Sequence, residues 1–133
     1  MKSIVLTLVF FLSGLLPAFA AADFELMTKE ELQPQLGAAE LIIIDGRSQE
    51  EMKESGVKVP GAVWLPDSET EIAAWAKDAP KNKTVVTYCA CAGLGRSAAL
   101  ASQLIAQGFS KVYVLEGGWR DWERSKYPVE KIN

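Results

Sequence analysis

Two cysteines stand one residue apart in the run Cys89-Ala90-Cys91-Ala92-Gly93-Leu94-Gly95-Arg96, and they are the only thiols of a 133-residue chain that has no histidine. A Ser-His or Cys-His pair cannot be built from this chain, so a reactive sulfur here must be activated by something other than imidazole. The run offers that alternative. A Gly-containing segment leading into a helix leaves backbone N–H groups pointing inward at the helix N-terminus, where they and the helix dipole favour an anion. A thiol placed there is held as a nucleophilic thiolate at neutral pH. Arg96 adds a fixed positive charge and a bidentate fork for an anionic substrate or intermediate. The competing reading is a turn of small packing residues with cysteine as core filler. Two Cys and no His also leave too few ligands for a closed four-ligand zinc site, unless carboxylates or a second chain contribute, so no metal is expected.

The elements that position this run follow from the hydrophobic pattern. Phe24 to Met27 is a short apolar start, and Thr28 with Glu31 forms a capping box opening a helix that Gly37 ends. Leu41-Ile42-Ile43-Ile44 is a continuous apolar run closing at Asp45-Gly46, the pattern of a strand buried on both faces. A short polar helix is expected over Gln49 to Glu54. After the punctuation Val59-Pro60-Gly61, Ala62 to Leu65 reads as a third strand, and Ser68 to Lys77 as a helix turning Ile72 and Trp75 to a core. Thr84 to Tyr88 is the fourth strand and runs into the cysteine loop. Arg96 to Gln107 is an Ala/Leu-rich helix ended by Gly108, Lys111 to Leu115 a fifth strand, and Trp119 to Ser125 a last helix before Pro128. Alternating strands and helices imply an α/β fold with an open, mostly parallel sheet and helices on both faces. The site of such a sheet lies at the strands' carboxyl ends, where both Asp45 and the Cys89 to Gly95 loop fall. Trp119 and Trp122, three apart on a helix, read as core packing, and Arg120 as exposed.

Composition narrows the function classes. The chain is 49% hydrophobic and 23% charged, as expected of one folded domain. Fourteen basic against seventeen acidic residues, with no basic cluster, exclude a nucleic-acid partner. Met1 to Ala20 has the layout of a secretory signal peptide: Lys2, an apolar run from Ile4 to Leu16, then Pro17 and Ala18-Phe19-Ala20. Cleavage is expected after Ala20, with the bond after Ala22 as the alternative. The apolar run is shorter than the roughly 20 residues of a comfortable span. Losing Lys2 with the leader takes the net charge from −3 to −4, which gives no affinity for an anionic membrane. The reading is an exported, periplasmic or secreted protein whose residues 21–133 form a single domain. In that oxidising compartment its thiols are either paired or chemically employed.

Several separated segments together resemble the rhodanese-like sulfurtransferase family. Ile43-Ile44-Asp45-Gly46-Arg47 with Glu50 or Glu51 is similar to the family's Asp-x-Arg opening, Val59-Pro60-Gly61-Ala62 to its Pro-Gly-Ala turn, and Val86-Thr87-Tyr88-Cys89 to its strand into the active loop. Gly108-Phe109, then Val112 through Trp119, Trp122 and Tyr127-Pro128-Val129, resemble its closing part. The resemblance implies a rhodanese fold with a five-stranded sheet and, in active members, a cysteine persulfide that carries sulfur from a donor to a thiophilic acceptor. It also implies that Asp45 and Arg47 support the loop by an ion pair, although Asp-Gly is equally a routine turn signal.

The loop departs from the family pattern of Cys, four residues, then Arg, with Gly third after the Cys. Counting back from Arg96 selects Cys91, but Leu94 then stands at the third position, between Gly93 and Gly95. Counting forward from the strand selects Cys89, and the loop is two residues too long. Cys91 is favoured, because a cradle of N–H groups closes around sulfur only at a suitable loop length, whereas extending a strand by two residues is cheap. Cys89 is then a neighbour able to attack a persulfide or sulfenic acid on Cys91. Residues i and i+2 of an extended strand have Cα atoms about 6.6 Å apart, near the upper limit for a disulfide, so a Cys89–Cys91 bond reads as a redox state rather than a staple. Ala92 and Leu94 stand where many thiosulfate-using members carry polar or charged groups, which points to a less charged donor such as a small persulfide.

The function expected from the sequence is a sulfurtransferase that needs no cofactor. Cys91 or Cys89 takes a sulfane sulfur from thiosulfate or a persulfide and passes it to a thiol or cyanide-like acceptor; Arg96, Ala92, Gly93, Leu94 and Gly95 bind the substrate, and Asp45 and Arg47 support them. Two other readings stay open: a thiol–disulfide redox protein using both cysteines, and a binding module that kept the fold. A phosphatase is disfavoured, since that related chemistry wants five residues between Cys and Arg, and this chain gives four or six.

Overall fold

The computed structural model of the chain describes residues 24–133; the expected leader and both cleavage points lie outside the described residues. A parallel sheet of five strands organises the rest, in the spatial order β1 (Glu25–Met27), β6 (Lys111–Leu115), β5 (Thr84–Tyr88), β2 (Leu41–Asp45) and β4 (Val63–Trp64). The two strands next to one another at the middle, β2 and β5, pair over five residues, from Leu41 opposite Thr84 to Asp45 opposite Tyr88. Each sends alternate side chains to opposite faces. Ile43 and Val86 join a core with Leu32, Leu115, Trp119 and Trp122. Ile44 and Val85 join a second with Ile72, Leu100, Leu104 and Phe109. Both faces are covered, which is why these strands read as unbroken apolar runs rather than alternating ones.

The helices that cover the sheet start where the sequence provides caps. Thr28 and Glu31 bond one another's backbone N–H groups and open α1 (Lys29–Leu32). Ser48 and Glu51 do the same for α2 (Gln49–Ser55), which Gly56 ends at φ 68°. Expected to run to Gly37, α1 instead tightens after Leu32 into a 3-10 turn, Gln33–Gln35. Pro34 has no N–H to donate and disrupts the α-helical ladder there. On the opposite face lie α3 (Glu69–Asp78) and α4 (Gly95–Ala106). Ile72 is buried, and Trp75 stacks on Phe109 with ring centroids 5.8 Å apart. The chain closes with α5 (Gly118–Arg124), whose Trp119 and Trp122 are both buried as expected.

Three short strands differ from the sequence expectation. The strand anticipated over Ala62 to Leu65 pairs only through Val63 and Trp64, opposite Ile44 and Asp45. Ala62 and Leu65 are buried beside it without joining the ladder. A separate antiparallel pair joins β3 (Val57–Lys58) to β7 (Glu130–Lys131) and was not expected, because two residues carry no readable period. It ties the C-terminal tail to the Val59-Pro60-Gly61 turn, where the Gly61 N–H donates to Glu130 Oε2 at 2.9 Å. Among the described residues, no helix is long and apolar enough to cross a membrane.

Candidate active site

The carboxyl ends of β2 and β5 meet in a buried polar frame. Asp45 and Arg47 are both buried, and the guanidinium grips the carboxylate through Nε (3.0 and 3.1 Å) and Nη2 (2.7 Å). Its remaining donors reach Ser55 Oγ and the Val57 carbonyl, so α2 and β3 are fastened to the same cation. Tyr88 donates its hydroxyl to Asp45 Oδ2 at 2.7 Å and accepts from the Val59 N–H at 3.2 Å. Both of these buried charges are therefore paired and hydrogen-bonded, the condition under which they are tolerated. Burial first, then the Asp45 carboxylate, pushes the Tyr88 phenol far above its ordinary range, so it stays a donor. Burial works against the Arg47 charge, but Asp45 outweighs it and raises Arg47 above the ordinary guanidinium value. Of the two readings of Asp45-Gly46-Arg47, the structure has the ion pair. Gly46 serves it: a Cβ there would lie 3.1 Å from the Tyr88 carbonyl, which accepts the Gly46 N–H at 2.7 Å.

Beyond Tyr88 the chain leaves the sheet. The strand does not extend by two residues as Cys91 at the loop centre had implied; Ala90 and Cys91 bend instead. The bend brings the two Cα atoms to 5.6 Å, inside the disulfide range that an extended strand only borders, and the sulfurs of Cys89 and Cys91 are bonded. Their surroundings differ. Cys89 is 1% exposed. Its carbonyl accepts the Trp119 N–H at 2.9 Å, and the close approach depends on Gly118, where a Cβ would sit 2.5 Å from the Cys89 oxygen. Cys89 Sγ lies 3.3 Å from Ser97 Oγ, whose own proton goes to the Leu94 carbonyl at 3.1 Å. The serine thus offers the sulfur a lone pair, which suits a protonated thiol. Cys91 is partly exposed, and the Arg96 N–H at the start of α4 points at its sulfur from 3.4 Å. That is a donor, which suits a thiolate.

The rest of the loop winds around Cys91. Ala92 to Leu94 form a 3-10 turn with Gly93 at φ 79° and Leu94 at φ 62°, both left-handed. The left-handed position third after Cys91 is thus filled by a leucine where the family pattern has glycine. Gly95 is helical and begins α4. Ala92, Gly93 and Gly95 are exposed. Arg96 does not extend freely over the loop: its Nη1 pairs with Glu51 Oε2 at 3.0 Å. Glu51 is held below the usual carboxylate range, first by the Ser48 N–H at the cap of α2 and then by the Ser48 hydroxyl and Arg96. Beside the loop, a cleft of about 340 Å³ is lined by the buried Arg47, Ala90 and Trp119 and by Glu51, Glu54, Ser55, Arg120 and Glu123. With Arg47 matched by Asp45 and Glu51 by Arg96, Glu54 and Glu123 against Arg120 leave that cleft one net negative charge.

Sequence reasoning did not find Tyr88, Ser97 or Gly118. Ser97 left a signal: it falls on the buried stripe of α4 with Leu100, Ala101 and Leu104, where a hydroxyl must have a partner. Gly118 left only an ordinary Gly-Gly turn.

A profile of the rhodanese-like domain matches residues 28–125. The thiosulfate sulfurtransferase GlpE of Pseudomonas syringae is 31% identical over 91 residues, covering 68% of this chain and 79% of that protein. The tRNA uridine(34) hydroxylase of an Arthrobacter species is 34% identical over 105 residues, 69% of this chain, but this chain spans only 35% of that longer protein. In structure the chain is similar to SseA of Escherichia coli, described as having the rhodanese fold of 3-mercaptopyruvate sulfotransferases, with a TM-score of 0.68 at 21% identity over 82% of this chain and 52% of that one. The sheet order, the strand-to-helix cysteine loop and the family match over most of the length agree: this chain belongs to the rhodanese-like domain family.

Proposed function

We propose that the protein is a sulfurtransferase in which Cys91 carries a sulfane sulfur as a persulfide. The observation that supports it most is the position of Cys91: partly exposed, at the N-terminus of a twelve-residue helix, with the Arg96 N–H on its sulfur. A thiolate there is stabilised by fixed dipoles without histidine, attacks the outer sulfur of a donor and keeps that sulfur as a charged persulfide under the same N–H group. Cys89, buried beneath it, is not open to a donor from outside. The pairing of Arg96 with Glu51 and the net negative charge of the cleft favour a less charged donor, a small persulfide rather than thiosulfate. The expected leader places the reaction outside the cytoplasm, in the periplasm or medium.

Intact mass spectrometry of the reduced protein and of Cys89→Ser and Cys91→Ser, before and after a small persulfide and again after cyanide, tests this. A cyanide-removable gain of about 32 Da on Cys89→Ser and none on Cys91→Ser supports the reading. No gain on any form rejects it. The bonded sulfurs also fit a thiol–disulfide redox protein, for which loss of either cysteine abolishes activity and the wild type changes only by two hydrogens.

A further inference from the structure

We propose that Cys89 is the internal thiol that discharges the Cys91 persulfide, releasing the carried sulfur as hydrogen sulfide and leaving the Cys89–Cys91 disulfide, so that each turnover consumes a dithiol reductant. The proposal rests on Cys91 as the sulfur carrier.

The arrangement fits an in-line displacement at Cys91 Sγ. In the charged Cys91 persulfide, where Sγ carries the outer sulfur, Cys89 passes its proton to that outer sulfur and attacks Sγ as the thiolate; the bond from Sγ to the outer sulfur breaks, and that sulfur leaves with both bonding electrons and the proton as hydrosulfide, which takes a second proton from water. One disulfide and one molecule of hydrogen sulfide result. The sulfane sulfur is reduced by two electrons, and the two cysteine sulfurs give up one each. Such a displacement needs nucleophile and leaving group on opposite sides of Sγ. Cys89 is buried and Cys91 partly exposed, so the outer sulfur departs toward solvent, past the exposed Ala92 and Gly93.

Nothing large has to move. The sulfurs already lie within bonding distance, and the Cys89 main chain is fixed from the far side by the Trp119 N–H. Ser97 Oγ is placed to accept the Cys89 S–H while the pair is reduced, which keeps Cys89 protonated and out of competition for the donor. Once oxidised, Cys91 takes no new sulfur until a dithiol such as dithiothreitol, or a protein dithiol of the same chemistry, opens the bond. The final acceptor is then a pair of thiols rather than cyanide.

Reduced, desalted wild type, Cys89→Ser and Cys89→Ala are each mixed anaerobically with one equivalent of glutathione persulfide, and hydrogen sulfide and intact mass are followed together. The wild type is expected to release close to one sulfide per chain and to finish two hydrogens lighter than it began. Both variants are expected to hold the added sulfur, about 32 Da, and to release it at least about ten-fold more slowly. A wild type that keeps its persulfide as long as the variants overturns the proposal and leaves the sulfur-carrier reading standing. If neither variant gains sulfur, the carrier reading falls and this proposal with it. Either substitution serves if the other does not fold, and a wild type that releases no sulfide overturns the proposal whether or not they do.

Discussion

The Arg47 guanidinium lies on the indole of Trp119, its central carbon 4.1 Å from the ring centroid, while Asp45 holds its edge through Nε and Nη2. One buried cation thus joins the end of β2 to α5, and Trp119 in turn holds the Cys89 carbonyl. The cysteine loop is positioned from below by this chain of contacts, none of which touches a sulfur with a side chain.

Removing the cation should therefore be costly. Arg47→Ala leaves the Asp45 carboxylate buried opposite only the Tyr88 hydroxyl and the residue 47 N–H, and is expected to lower stability by about 3–5 kcal/mol in urea unfolding. Arg47→Lys should recover only part, because an ammonium supplies neither the fork to Asp45 nor a flat face for Trp119. A loss below about 1 kcal/mol for Arg47→Ala would mean that Asp45 is not held as a buried charge.

Gly118→Ala tests the clamp on Cys89. The new methyl group would stand 2.5 Å from the Cys89 carbonyl oxygen in a residue at φ 57°, so both backbones must shift. A cost of at least about 2 kcal/mol is expected, with slower reoxidation of the reduced cysteines as the loop is displaced. Gly61→Ala is the comparison: φ is 78° but nothing lies within 4 Å, so backbone strain alone, about 1–2 kcal/mol, should appear. Equal effects of the two substitutions would show that the contact with Cys89 is unimportant.

These residues also show what was legible in the sequence. Ile43, Ile44, Val85 and Val86 announce the central strands because burial on both faces demands apolar side chains at consecutive positions, and Thr28 with Glu31 announces a cap because the reciprocal bonds need those spacings. That Asp45 and the cysteine loop fall at the same end of the sheet was legible from strand ends alone. The Glu51–Arg96 pair and the support of Cys89 by Gly118 and Trp119 were not, since they join segments 45 and 29 residues apart through backbone geometry that leaves no local pattern. The choice between the cysteines was poorly legible for a related reason: spacing counts residues, whereas burial and the hydrogen-bond partner of each sulfur depend on a bend within Ala90-Cys91.

Glu51→Gln should release Arg96 toward anions. An exposed pair of this kind is worth at most about 1 kcal/mol, so the KM for thiosulfate is expected to fall by no more than about five-fold, with a smaller change for a less charged persulfide donor. The substitution also has a signature in acid. Because Glu51 is held below its ordinary value in the folded protein, its contribution is fully present above about pH 4.3 and is lost as pH falls through the lower folded value. Glu51→Gln should consequently lose less stability than wild type on going from about pH 5 to pH 3. Parallel acid curves would show that Glu51 is not linked to folding.

Leu94 sets two physical costs against each other. At φ 62° it occupies the left-handed region that costs a non-glycine residue about 1–2 kcal/mol, yet its half-buried side chain packs against the core containing Leu100 and Leu104. Leu94→Gly removes both the strain and the packing and adds freedom to the unfolded chain, so its stability is expected within about 1 kcal/mol of wild type. Leu94→Ala removes the packing but keeps the strain and should be the less stable of the two. The glycine variant restores the residue type that the family pattern has third after the sulfur-bearing cysteine. If Cys91 is that cysteine, its persulfide loading by a small donor should survive Leu94→Gly, read by intact mass in the Cys89→Ser background. Loss of loading with the fold intact would show that the leucine side chain, rather than the left-handed turn, keeps the Arg96 N–H on the sulfur.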